Sequence, residues 1–119
     1  MNFEKHILPQ ASQPEQTGGE FAYLGLNRII HERARLGIMT ALNNNRDGIL
    51  FVDLKRLCTL TDGNLSRHLT FLQKAGLIEI WKSSVEKKSQ TLCKLSAAGR
   101  QQLAEYLEHL KQVFKDNEQ

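Results

Sequence analysis

The sequence predicts a mainly α fold of the α+β class, and three observations carry that expectation. Apolar residues recur at helical spacing over long stretches of the 119 residues. The pattern changes to alternation at Leu77–Lys82, and Gln90–Leu95 is rich enough in β formers to be its return strand. A short helical segment, Phe51–Cys58, stands only a few residues before a longer one with both ends signed, Thr61–Gly76.

Length and composition set the frame. The chain fits one domain. At 40% hydrophobic and 24% charged residues it is globular. Its core is modest, so it gains from a partner subunit. The net charge of +3 leans toward anionic partners. Residues 62–100 carry seven Lys/Arg against three acids, whereas residues 101–119 carry four acids and two lysines. Basic charge thus follows the second helix of the pair and what comes after it.

Residues 1–19 contain Pro9, Pro14, a Gln-rich run and Gly18-Gly19. They read as an arm, mobile unless a partner holds it. Phe3, Ile7 and Leu8 form a small apolar cluster able to dock on a second subunit; a frayed terminus fits equally well. The remainder, residues 20–119, reads as one domain. From Glu20 to Asn45, Ile29, Ile30, Ala34, Ile38, Ala41 and Leu42 share a face flanked by Leu36 and Met39, with room for a break near His31 or Glu32. Gly37 in this helix costs about 1 kcal/mol relative to Ala unless a neighbour packs close. Asn43–Gly48 is a loop, and Gly48-Ile49-Leu50 can form an edge strand.

Phe51, Leu54, Leu57 and Cys58 give the next helix one apolar face, and Thr59-Leu60 turns the chain into Thr61–Gly76. Thr61 is an N-cap for Asn64, Asp62 suits the positive end of the helix dipole, and Leu60 with Leu65 forms a hydrophobic staple. Gly76 can adopt the left-handed conformation and let Leu77 fold back on Leu72. Leu65, Leu69 and Leu72 make one apolar stripe. The other face carries Asn64, Ser66, Arg67, Thr70 and Lys74, side chains of the kind a helix presents in a DNA major groove. The pair is a helix-turn-helix. On the helix alone, an ordinary solvated polar face accounts for the pattern as well.

A β-hairpin follows. Ile78, Ile80 and Lys82 share one face, Glu79 and Trp81 the other, and a basic tip of roughly five to seven residues contains Glu86, Lys87 and Lys88. Ser96 caps the last helix. In it Leu103, Tyr106, Leu107, Leu110, Val113 and Phe114 form a nearly strict heptad seam. The seam needs a surface, either its own domain or the same helix of a second copy. Pairing is favoured, because the helix lies at the chain end and the domain offers little core to cover it.

This order of elements is that of a winged helix, and the residues resemble the prokaryotic MarR/ArsR-like transcriptional regulators, most closely a small stand-alone subfamily. The likeness lies in Arg35–Met39, Phe51–Leu54, Leu60–Leu69 (LTDGNLSRHL), Ala75–Ile78 and Leu95–Arg100, and spans about residues 27–110. It implies a winged helix-turn-helix with a two- to three-stranded β wing and a C-terminal dimerisation helix. It also implies a homodimer on double-stranded DNA, with the recognition helix, about 62–75, in the major groove and the wing, about 83–90, on the flanking backbone or minor groove. The contacts carried over are Asp62, Gly63, Asn64, Ser66, Arg67 and Thr70, joined by Lys74 and, in the wing, Lys87 and Lys88. Arg67 suits guanine or a phosphate and Asn64 adenine; Ser66 and Thr70 suit phosphate or mixed contacts; His68 suits local packing. The tip Glu86-Lys87-Lys88 departs from the subfamily's Gly-Arg-Lys type. Lysine lacks arginine's fork, which favours phosphate contact over base reading.

Other functions find little support in the residues. The four histidines (His6, His31, His68, His109) and two cysteines (Cys58, Cys93) show no metal-ligand spacing, so no metal or cofactor is expected, although a metal sensor and a two-cysteine redox switch remain open. No phosphate loop or nucleophile–base pair suggests an enzyme. With no leader-like start, no membrane-length apolar run and no disulfide framework, a cytoplasmic protein is expected. The rival reading is a winged helix serving as a protein-interaction module.

Overall fold

The computed structural model describes residues 2–8, 27–85 and 88–117. Its elements are β1 (Glu4–His6), α1 (Arg33–Asn43), β2 (Ile49–Leu50), α2 (Phe51–Cys58), α3 (Asp62–Lys74), β3 (Ile78–Val85), β4 (Lys88–Leu95) and α4 (Ala97–Asp116). Helices α2 and α3 form the helix-turn-helix, and β3 with β4 forms the wing.

Helix α1 begins where the sequence allows a break. The Glu32 carboxylate accepts from the backbone N–H groups of Ala34 (3.1 Å) and Arg35 (2.9 Å) and caps the helix. Ile38, Met39 and Leu42 are fully buried; Ile29, Ala34, Leu36 and Ala41 are half-buried. Met39 thus belongs to the centre of the buried face, not to its edge. In α2, Leu54 is buried and Phe51 half-buried, but Leu57 is exposed. An eight-residue helix on the surface covers only a narrow stripe.

The sheet is antiparallel throughout, in the order β1-β3-β4-β2. Ile49 and Leu50 pair with Cys93 and Leu92 at one edge. The hairpin register runs from Ile78 opposite Leu95 to Val85 opposite Lys88. The strands therefore continue through most of the polar stretch that the sequence suggests as tip. Only residues 86 and 87 separate them, and these lie outside the described residues.

The expected two- to three-stranded wing sheet has a fourth strand. Glu4, Lys5 and His6 pair with Lys82, Trp81 and Ile80. The three residues are polar and exposed, so no hydrophobic alternation announces them. They are held by ladder hydrogen bonds along the free edge of β3, which would otherwise present unpaired backbone groups. Residues 9–26, which include the remainder of the arm and the stretch that follows it, lie outside the described residues.

The core lies between the helices and one sheet face. It gathers Ile38, Met39 and Leu42 from α1, Leu54 from α2, and Leu65, Leu69 and Leu72 from α3. Ile78 and Ile80 come from β3, Cys93 and Leu95 from β4, and Leu103 and Tyr106 from α4. Where α3 ends and α4 begins, the two backbones approach closely. The Ser96 hydroxyl donates to the Gly76 carbonyl (2.7 Å) and accepts from Gly99 N–H (2.9 Å), while Ser96 N–H donates to the Leu77 carbonyl (3.0 Å). A Cβ on Gly99 would stand 1.9 Å from the Leu77 carbonyl oxygen. Glycine is required there by contact.

Candidate nucleic-acid interface

The recognition helix is fixed at both ends by the residues that sign it in the sequence. Asn64 N–H donates to Thr61 Oγ1 at 3.2 Å. At the other end Gly76 has φ +77°, Gly76 N–H donates to the Gln73 carbonyl (3.0 Å) and Leu77 N–H to the Leu72 carbonyl (3.0 Å). These two bonds make a complete Schellman motif. Leu65, Leu69 and Leu72 are buried, as is His68, whose Nδ1 lies 3.8 Å from Glu32 Oε2.

The opposite face is open. Asp62, Gly63, Asn64, Ser66, Arg67, Thr70 and Lys74 are all exposed. All the candidate residues of this helix are therefore accessible to solvent. Arg67 Nη2 and Asn64 Oδ1 are 3.5 Å apart, at the limit of hydrogen bonding, so the Arg67 fork retains its donors. On the wing, Lys88 is exposed next to the tip and Lys82 is exposed farther back; Lys87 lies outside the described residues.

The turn into α3 uses Thr59 in the left-handed region, φ 53° and ψ 52°. For a β-branched residue this costs roughly 1–2 kcal/mol. Leu60 N–H donates to the Lys55 carbonyl at 3.1 Å and closes the turn. A shallow groove lined by Val52, Lys55, Arg56, Thr59, Leu60 and Thr61 runs beside it.

Several partners of the site are invisible to pattern reading. Lys55 Nζ lies 2.9 Å from Asp62 Oδ1, so the carboxylate at the head of the recognition helix is already ion-paired. The Arg35 guanidinium lies 4.5 Å from the centre of the Phe71 ring, a cation–π distance. Gln73 Nε2 donates to the His6 carbonyl at 2.7 Å. Each partner is far from the helix in sequence or on another helix, and no local motif marks it. Burial pushes the Glu32 carboxyl up, but the N–H groups of Arg35 and Ala34, with His68 and Arg35 nearby, bring it below its ordinary value. Its capping stability is present at neutral pH and is lost as pH falls through that lowered value.

The seam of α4 is divided. Leu103 (1% exposed) and Tyr106 (3%) are in the domain's own core and are unavailable to a second copy. Leu107 (46%) and Phe114 (66%) are exposed, and Leu110 and Val113 are half-buried. Of the two surfaces the sequence left open, the seam thus meets its own domain in its first turns, where pairing was expected, and Leu107 and Phe114 remain exposed farther on.

The cysteines do not form a reactive pair. Cys93 is fully buried, and burial pushes its thiol up to about 12, far from the thiolate form that reacts. Burial also raises the Cys58 thiol. Among the described residues, no three His, Cys, Asp or Glu side chains gather as a metal site, and no helix is long and apolar enough to cross a membrane.

A capped helix with an open polar face, led by a short helix and followed by a β-hairpin, is the arrangement of a winged helix. The sequence profile of the winged helix DNA-binding domain family matches residues 34–114, and the chain belongs to this family. An uncharacterized protein of Methanocaldococcus jannaschii is 35% identical over 65 residues, covering 55% of this chain and 71% of that protein. The structure of a transcriptional regulator homologue from Pyrococcus horikoshii superposes with a TM-score of 0.74 at 26% identity, covering 84% of this chain and 98% of the other. A MarR family transcriptional regulator from Silicibacter pomeroyi shares the fold with a TM-score of 0.57 at 23% identity, over 82% of this chain and 60% of that one. Both structures share with this chain the winged helix fold that its family defines.

Proposed function

We propose that the protein is a cytoplasmic, non-enzymatic transcriptional regulator that reads double-stranded DNA sequence as a homodimer. Residues 20–119 form the DNA-binding and dimerisation unit, and residues 1–19 are an arm. The observation that carries the reading is the shared exposure of Asn64, Ser66, Arg67, Thr70 and Lys74 on a doubly capped helix directly before a basic wing. An interaction module needs no such coincidence of charge and polar side chains. Helix α3 enters the major groove, where Arg67 reads guanine or clamps phosphate and Asn64 reads adenine. Lys87 and Lys88 neutralise the flanking backbone. Leu107, Leu110, Val113 and Phe114 pair two copies, which places half-sites about one helical turn apart.

The test uses a duplex selected by the protein from random sequence and a shuffled duplex of equal length. Arg67→Ala is expected to weaken the selected duplex by ~1–3 kcal/mol and relax the preference at one position. Lys88→Ala is expected to weaken both duplexes and lower the salt slope by about one. Unchanged affinity in Arg67→Ala removes α3 from the major groove, and an unmoved salt slope removes the wing from the backbone. Leu107→Asp with Leu110→Asp is expected to give monomers in sedimentation; persistent dimers would move the interface elsewhere.

A further inference from the structure

We propose that the roll of the recognition helix about its own axis, and with it DNA sequence preference, is set by two lateral clamps from the N-terminal part of the chain. On one flank Arg35 holds Phe71; on the other the His6 carbonyl holds Gln73. This rests on the DNA-reading role proposed above for α3.

The geometry follows from helix periodicity. Leu65, Leu69 and Leu72 mark the buried side of α3, and Arg67 and Lys74 the outward side. Phe71 and Gln73 fall on opposite flanks between them. The core grips α3 from beneath, along one apolar stripe, and Lys55 of α2 pairs with Asp62 in its first turn. Apolar contact is non-directional and resists rolling poorly. Directional contacts on the flanks resist it well.

Each clamp is itself anchored. Arg35 Nε donates to the Ile29 carbonyl at 2.7 Å and lies 3.8 Å from Glu32 Oε2. Glu32 also faces His68, on the same flank of α3 as Phe71, at 3.8 Å. The turn that carries these residues is tied to α4. Asn27 Nδ2 donates to Gln102 Oε1 at 2.9 Å, and His31 Nδ1 is hydrogen-bonded to the Tyr106 hydroxyl at 2.7 Å. On the other flank, β1 is held by its ladder to β3. The recognition helix is therefore clamped against the wing sheet on one side and, through the 27–35 segment, against the terminal helix on the other.

Roll matters for bases more than for phosphates. A turn of about 10° moves an atom at the helix rim, roughly 5–6 Å from the axis, by about 1 Å. That exceeds what a bidentate base contact tolerates. Flexible lysines follow a phosphate over the same distance, and phosphate contacts carry no sequence information.

The experiment measures the full chain on the selected and shuffled duplexes, with Tm recorded in parallel. Arg35→Met keeps the side-chain stem and removes the guanidinium. Gln73→Ala removes the other clamp at a half-buried side chain without touching the core. Each is expected to lose about tenfold in affinity for the selected duplex, the size of one impaired base contact. Affinity for the shuffled duplex should change less than about twofold, with the salt slope unmoved. A parallel loss on both duplexes with a lower slope makes Arg35 a phosphate contact and overturns the clamp. A lower Tm with an unchanged affinity ratio makes the contacts purely structural and overturns it too. A wild-type chain that prefers neither duplex defeats the DNA-reading role itself, and the clamps with it.

Discussion

The first and last turns of α4 belong to one continuous amphipathic helix and have opposite surroundings. Residues 97–106 lie against the domain: Gly99 touches the backbone after α3, and Leu103 and Tyr106 fill the core. Beyond Tyr106 the same heptad spacing continues through Leu107, Leu110, Val113 and Phe114; Leu110 still packs on the edge of the core, but Leu107 and Phe114 are exposed. Periodicity tells which residues share a face. It does not tell how far along the helix the covering surface extends. The first turns are a structural joint; the last turns carry exposed apolar side chains.

Leu103→Ala is the strongest way to break this contrast. Leu103 is fully buried, and its truncation is expected to cost ~3 kcal/mol, read by denaturant titration. A loss below about 1 kcal/mol would show that the first turns are loosely packed. Gly99→Ala tests the joint directly. With no space for a Cβ, the helix start must shift from Leu77, at a cost of about 2–3 kcal/mol. Gly37→Ala is the control in another helix. Among the described residues nothing lies within 4 Å of a Cβ there, so it should stabilise by about 0.5–1 kcal/mol, seen as a raised Tm. The smallest effect belongs to the far end. Phe114→Ala should change the stability of dilute protein by less than ~0.5 kcal/mol. Its effect should grow with protein concentration if the exposed face pairs two copies.

The fold was largely legible because its signals are local. Thr61 and Gly76 bound α3, and both caps form with the expected hydrogen bonds. Ser96 marks the start of α4, and the alternation at 77–82 marks β3. Strand β1 was not legible, because Glu4, Lys5 and His6 bury nothing and are ordered by backbone pairing with a distant strand. The division of the α4 seam was not legible either, since it depends on where the rest of the domain ends.

Local pattern is enough to fix the order and type of most elements, the helix caps and the polar face that α3 presents, because period and capping act within a few residues. Tertiary structure alone decided what holds that face in place. Arg35 meets Phe71 and Gln73 meets the His6 carbonyl only after the chain has closed, since contacts between residues 36 and 67 positions apart are set by packing and not by any local pattern.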